Sequence, residues 1–509
     1  MSPRTRRPLL LLAALLALAV AAPAFAQAAP VAASAKKNTQ AGHGVKRLGG
    51  HVRRAWPAPG TRRPRTPIAR WLAKQVGPST PIACDKRPKP ARKRCAAGHA
   101  EDAKGAAAPR AVTAATGNGS ERVQIAANRL STGVRINTPS DIEAPLQLIR
   151  SFDIPADDPS YEQLLNWSWT YDSAVAATAF ASIGLQAEAG RLLDQLAALQ
   201  RKDGSIEFAF DVLTGESSDS IRAGSIAWAG IGFTDYDAQF GDDRYIGNAR
   251  LAADYLLSLR NGDGLVQGGP EVTWVSTQHN LVTVIFLNNL AEQLVDADPE
   301  AAAKYKEAAE LISKGIDTQL LIPNDGTTLA HFRQGVNDDV IPLDTQAIGV
   351  IYAIFRGDMD LAKQLYVYAT SEFPLKDRSI VLSSKASTYN MTYEAKGPFT
   401  GFRPYLGKGA PNVLWFEGTA EMRLISRFLG DDTSALDESM NAWWDVTRKQ
   451  GLAPLGADRT ITRNPYNQYH VWPTAAAGAW TVLSGAAKDV DWAVAPDELK
   501  QQQLLQLLR

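Results

Sequence analysis

The chain has 509 residues and 45% hydrophobic content, enough for a large buried core and too long for one average domain. Its net charge of +1 hides two opposite halves: residues 27–135 carry 22 Lys/Arg against 4 Asp/Glu, and residues 136–509 carry 29 against 49. With two cysteines in all, a thiol-built metal scaffold is excluded.

The first residues read Met-Ser-Pro-Arg-Thr-Arg-Arg, followed by an apolar run from Leu9 to Ala22 and small residues ending at Ala26. A basic start, a short apolar stretch and an Ala-x-Ala-like end predict a signal peptide over 1–26, and hence a secreted or periplasmic protein. The Arg6-Arg7 pair is compatible with twin-arginine export. No later segment offers twenty consecutive apolar residues, so no transmembrane segment is expected.

Residues 27–135 are rich in Ala, Pro, Gly and Arg and poor in large apolar side chains. Such a segment cannot bury enough surface to offset chain entropy, and disorder is expected. It reads as a solvated tether, or as a contact for an anionic surface or acidic glycan. Nucleic acid is disfavoured, because only Trp56 and Trp71 interleave the charges. Cys84 and Cys95 are spaced to close a small disulfide loop in an oxidising compartment.

From about residue 136 onward, helical periodicity recurs in pairs. The predicted hairpins are Tyr171–Ile183 with Ala187–Gln200, Ile221–Gln239 with Arg244–Leu259, Gln278–Leu294 with Pro299–Gln319, Asp344–Phe355 with Asp358–Thr370, and Trp415–Leu429 with Ser434–Lys449. A sixth runs from near His470 to Ser484, its partner being Asp497–Leu508 or Asp141–Phe152. First helices are apolar all round and second helices are half polar, which predicts an inner and an outer layer. Six hairpins at spacings of about 50 to 70 residues predict an all-α fold, an (α/α)6 toroid over 136–509.

The inner helices of such a ring begin at one face. The stretches there are Asn-Trp-Ser-Trp-Thr-Tyr-Asp (166–172), Asp-Ser-Ile-Arg (219–222), Trp-Val-Ser-Thr-Gln-His-Asn (274–280), Ile-Pro-Leu-Asp (341–344), Leu-Trp-Phe-Glu-Gly-Thr (414–419) and Asn-Gln-Tyr-His-Val-Trp-Pro (467–473). The other ends carry plain turns such as Gly-Asp. This asymmetry marks one face as a site. Trp167, Trp169, Tyr171, Trp274, Trp415 and Trp472 offer flat rings for the C–H faces of sugars, and Arg222, His279, Asn280, Arg403 and His470 offer directional bonds to hydroxyls. A polysaccharide or oligosaccharide substrate is expected.

The Trp-x-Tyr-Asp start, the ending Leu-x-x-Leu-Gln-x-x-Asp-Gly-Ser, Ser-Thr-Gln-His-Asn and Trp-Phe-Glu-Gly-Thr together resemble six-hairpin glycosidase-type proteins over about residues 137–490. The resemblance implies the toroid and carbohydrate chemistry. It does not name one activity, since that superfamily includes hydrolases, phosphorylases, lyases and non-catalytic members.

Glycoside hydrolysis needs two carboxyl groups. Asp172, Asp344 and Glu417 stand at inner-helix starts, with Asp219 a weaker fourth candidate. Glu417, beside Trp415 and Phe416, is expected as general acid, because apolar company disfavours the charged form. Asp172 or Asp344 is then the base. The resemblance implies the same acid and an inverting outcome. Each acid also suits a helix N-terminus for purely structural reasons. A polysaccharide lyase would use Tyr171, His279, Asn280 and Arg222, and a non-catalytic glycan-binding or scaffold protein would need only the aromatics. Neither His-x-x-x-His nor a Gly-Lys-Ser/Thr loop occurs, so no metal and no nucleotide cofactor is expected. The long segment Ser371–Val413, with Tyr389, Tyr393, Arg403, Tyr405 and Lys408, is expected to form a flap over the cleft.

Overall fold

The structure is a computed structural model that describes residues 46–48, 51–53, 66–86 except 80 and 82, 144–378 except 157 and 159, 399–448, 455–461 and 468–485. The expected signal peptide, most of the basic region, Tyr389, Tyr393 and Cys95 lie outside the described residues. Cys84 is disulfide-bonded.

Twelve helices matter here. They are α1 (Pro67–Lys74), α2 (Thr170–Ser182), α3 (Gln186–Leu199), α4 (Ala223–Phe240), α5 (Ile246–Ser258), α6 (Thr277–Leu294), α7 (Pro299–Gln319), α8 (Leu343–Phe355), α9 (Met359–Glu372), α10 (Phe416–Leu429), α11 (Ser434–Arg448) and α12 (Ala475–Gly485). The even-numbered helices pack neighbour to neighbour as α2, α4, α6, α8, α10 and α12, and α12 packs back on α2. That closes an inner ring. The odd-numbered helices form the outer layer, each against its hairpin partner. The fold is an (α/α)6 toroid.

Composition explains the layering. Every residue of α2 is buried, and its alanines let neighbours approach on both sides. In α4, Gly230 does the same: a Cβ there would sit 2.4 Å from the Phe286 ring of α6. The outer α3 instead buries a stripe, Ala189, Leu192, Leu193, Leu196 and Leu199, at helical spacing.

The sixth outer helix differs from the expectation. Asp497–Leu508 lies outside the described residues, and 144–152 runs without helix, bridging Val76 through Ile149 and Thr474 through Phe152. The partner of α12 is α1, from the stretch expected to lack structure. Thr66 caps it by accepting from the Ala69 N–H at 3.2 Å, Pro67 opens it, and Ile68, Ala69, Trp71 and Leu72 are buried. A short apolar stripe thus folds within a region whose average composition is basic.

Two-residue to five-residue ribbons rim the ring. Trp167–Trp169 pairs with Ala209–Asp211, Ile341–Pro342 with Tyr405–Leu406, and Pro374–Arg378 with Phe399–Phe402. The ends of the expected flap therefore carry strands, while residues 379–398 lie outside the described set. Among the described residues no helix is long and apolar enough to cross a membrane.

Candidate active site

The inner helices share a register that decides which side chain meets the cleft. The second residues of α2, α6, α8 and α10 are Tyr171, Gln278, Asp344 and Glu417, and all four line one cavity of about 170 Å³. The fourth residues are Ser173, Asn280, Gln346 and Thr419, and each clamps backbone. Ser173 Oγ accepts from the Ile149 N–H at 3.1 Å. Asn280 accepts from the Val266 N–H at 2.8 Å and donates to the Val266 carbonyl at 3.0 Å. Gln346 holds Phe332 in the same two-pronged way, at 2.8 Å for both bonds. Thr419 Oγ1 accepts from the Phe402 N–H at 3.1 Å. One helical turn thus joins a scaffold clamp to a cleft residue.

Trp-Phe-Glu-Gly-Thr can be parsed residue by residue. Trp415 lines the cavity, and Phe416 packs edge-on against Trp443 with centroids 4.6 Å apart. Glu417 enters the cleft, and Gly418 leaves the space in which a Cβ would lie 2.4 Å from the Trp415 ring. Thr419 is the clamp.

Glu417 is held from below. The Tyr171 hydroxyl donates to Glu417 Oε1 at 2.8 Å, and the Trp480 indole N–H donates to the Tyr171 oxygen at 2.8 Å. Because the indole occupies one lone pair of that hydroxyl, its proton is directed at the carboxylate. Trp228 packs edge-on against both rings, each with centroids 5.7 Å away. Asp344 Oδ1 accepts from the Thr345 N–H at 2.7 Å.

On the opposite wall, His470 stacks on Trp472 with centroids 3.7 Å apart and shares a 3.2 Å hydrogen bond with Gln468. Desolvation by burial holds the imidazole down at about 3, so the ring is neutral in ordinary conditions. Trp472 is anchored by its indole N–H donating to Asp158 at 2.8 Å.

Of the candidates read from the sequence, Tyr171, Asp344, Trp415, Glu417, His470 and Trp472 converge on this cavity. Tyr405 of the expected flap lines it as well, and the other candidate site residues do not. Trp167 and Trp169 are buried at 2% and 0% exposure, because pairing with Ala209–Asp211 turns that stretch into core. Asp172, one position past Tyr171, is buried outside the cavity lining. Asn280 is a clamp. His279 is buried where Gly224 leaves room for it: a Cβ on Gly224 would meet its ring at 2.3 Å. Arg222 is half-buried with one guanidinium N–H on the Ile221 carbonyl at 3.0 Å. Arg403 precedes the lining residue Pro404, and Trp274 stands exposed beside Ser276 of the lining. Among the described residues no group of three or more His, Cys, Asp or Glu is placed to hold a metal ion.

Sequence reasoning passed over Gln278, Gln334, Phe152 and Glu421. Gln278 was recoverable from the register it shares with Asp344 and Glu417. Glu421 was hidden by its chemistry, an acid one turn below Glu417 and 3% exposed, where apolar residues are the rule. Its Oε2 has no hydrogen-bond partner among the described residues. Burial, then the charges of Asp344 and Glu417, push its carboxyl well above the usual range. The folded state therefore keeps a proton that the unfolded chain sheds, so stability falls as pH rises above the ordinary Glu value of about 4.3. Glu421→Gln is expected to flatten that fall: it should melt higher than the parent at pH 7 to 8, with the advantage gone below about pH 4. Superimposable melting-temperature curves against pH would contradict this.

No protein family and no curated protein matches the sequence. Solved structures similar to the chain include a bacterial glucoamylase complexed with acarbose, at 16% identity and TM-score 0.46, covering 67% of this chain and 52% of that one. This chain therefore spans about half the length of that glucoamylase. A glycosidase in complex with glucose is similar at 12% identity and TM-score 0.48, over 73% of this chain and 98% of that one. A D-mannose isomerase is similar at 14% identity and TM-score 0.43, over 69% and 93%. A shared fold does not fix an activity, so function rests on the site residues.

Proposed function

We propose that the protein is a carbohydrate-active enzyme, an inverting glycoside hydrolase acting on an extracellular or periplasmic polysaccharide, with Asp344 and Glu417 as its carboxyl pair. The observation that carries this is the convergence of these two acids in one cavity with Trp415 and a neutral His470 that is backed by the buried Trp472. Hydrolysis needs one acid to protonate the leaving oxygen and one carboxylate to activate water, and aromatic walls suit pyranose faces.

The proposal reverses the role expected for Glu417. A hydroxyl aimed at Oε1 favours the ionised acid, which suits a base. Asp344 is then the proton donor. Asp172 is left out, since it is not in the cavity lining. The lyase reading loses support for the same reason. His279 and Asn280 are buried elsewhere, and the Tyr171 hydroxyl is already committed to Glu417.

A panel of soluble polysaccharides screened for new reducing ends tests the reading, with proton NMR of the first product giving the anomer. Release of the inverted anomer is expected; unsaturated sugars, or no turnover on any glycan, would overturn it. Tyr171→Phe removes the bond to Glu417 without altering ring packing. It should lower kcat about 10-fold to 100-fold with KM nearly constant, as expected for a group that positions the base. Equal kcat in the two proteins would remove Tyr171 from the mechanism.

Export through cleavage after Ala26, and attraction of the basic region to an anionic surface or acidic glycan, belong to the same proposal. N-terminal sequencing of protein recovered outside the cytoplasm tests the first.

A further inference from the structure

Trp274 is 39% exposed, unlike the cleft tryptophans Trp415 and Trp472, which are half-buried and fully buried. It does not line the cavity, yet Ser276 and Gln278 on the same stretch do. Two residues of extended chain span at most about 7 Å, so the backbone that carries Trp274 lies within that distance of the lining residue Ser276.

The ledge that holds it is built into the backbone. Gly268 leaves the space in which a Cβ would sit 2.9 Å from the Trp274 ring, and its N–H donates to the Trp274 carbonyl at 2.9 Å. The Gly268 carbonyl in turn accepts from the Ala223 N–H, the first residue of α4, at 2.9 Å. Beneath the indole lies His279, with centroids 5.4 Å apart, and His279 occupies the hollow left by Gly224. Two glycines thus make room for two rings packed at a tilt of 47°. The second hairpin, whose cleft position is that same Gly224, contributes this ledge in place of a cleft side chain.

We propose that Trp274 is an outer sugar-binding platform, taking the next unit of a glycan chain whose reacting unit occupies the cavity. Resting on the hydrolase reading, this defines the substrate class as an oligomer extending across the start of α4. The exposed indole offers a flat apolar face next to the stretch that lines the cavity, and the C–H face of a pyranose continuous with a bound sugar can cover it.

The test is affinity electrophoresis of the full chain, its Glu417→Gln variant, Trp274→Ala and Trp274→Phe in gels containing soluble starch, xylan, barley β-glucan or polygalacturonate. With at least one glycan, the parent should be retarded, Trp274→Ala about tenfold less in apparent affinity, and Trp274→Phe in between, with the same order when each is made in the Glu417→Gln background so that no glycan is consumed. With the glycan that is hydrolysed, Trp274→Ala should raise KM for four-unit and longer oligosaccharides while that for two-unit substrates stays close to the parent. Equal retardation of Trp274→Ala and parent, or retardation of none by any glycan, overturns the platform. Retardation lost in Trp274→Ala without turnover by the parent keeps the platform and overturns the hydrolase.

Discussion

Glu417→Gln is expected to lower kcat by about 10³-fold, within the range carried by a positioned acid or base. The amide has the same shape and can still accept the Tyr171 hydroxyl at Oε1, so the fold and KM should be close to the parent. What it cannot do is take a proton from water. Asp344→Asn should also be severe on natural linkages, but the two variants part on aryl glycosides with acidic phenol leaving groups. Such substrates need no proton donor. Asp344→Asn should recover most of its activity on them, and Glu417→Gln should not. If Glu417→Gln alone recovers, the roles stand as the sequence first suggested; if both variants keep parental kcat, the pair is not catalytic.

Trp228→Ala is expected to cost about 3–5 kcal/mol of stability, the range for deleting a large aromatic side chain from a packed core. Trp228 is 1% exposed on α4 and touches Tyr171 and Trp480 edge-on, so its loss opens a void beside the relay that orients Glu417. Little nearby can collapse into it, because inner helices are pinned on both sides by neighbours. Denaturant titration gives the stability change, and kcat measured well below the new midpoint should fall as well. A change under about 1 kcal/mol would mean that the ring centre repacks freely.

The hairpins were legible because their periods are long and their layers differ. Expected and observed bounds agree closely for Pro299–Gln319, and α10 begins at Phe416 where Trp415 was expected. The α1 helix was not legible, although Thr66, Pro67 and the Ile68, Trp71, Leu72 stripe are a proper helix start. Averaging over a basic, Pro-rich region concealed eight residues. At the cleft, Tyr171, Asp344, Trp415, Glu417, His470 and Trp472 line one cavity, whereas other residues singled out in the same stretches do not. Trp-Ser-Trp reads as two sugar platforms until strand pairing buries both rings, and Tyr171-Asp172 reads as an acid with an aromatic neighbour until the register gives the cleft to the tyrosine. Ser-Thr-Gln-His-Asn is mostly scaffold: Ser276 caps α6, Thr277 Oγ1 bonds the Arg333 carbonyl at 2.6 Å and Asn280 clamps, while Ser276 and Gln278 line the cavity. Residue type announces chemistry. Position within the first helical turn decides whether that chemistry is reachable.

The packing of α1 on α12 has a kinetic consequence. A Cβ on Gly478 of α12 would meet Leu72 and Trp71 of α1 at 2.9 and 3.3 Å, so the first and last helices of the ring interlock although about 400 residues separate them in the chain. During synthesis, α1 emerges long before its partner exists, and its apolar stripe stays unsatisfied until the end. The wall bearing His470 and Trp472 precedes α12 directly, so it takes its place with this last closure. Assembly of the cleft is therefore coupled to completion of the ring, and a nascent chain that has not yet made α12 is expected to lack the wall that bears His470 and Trp472.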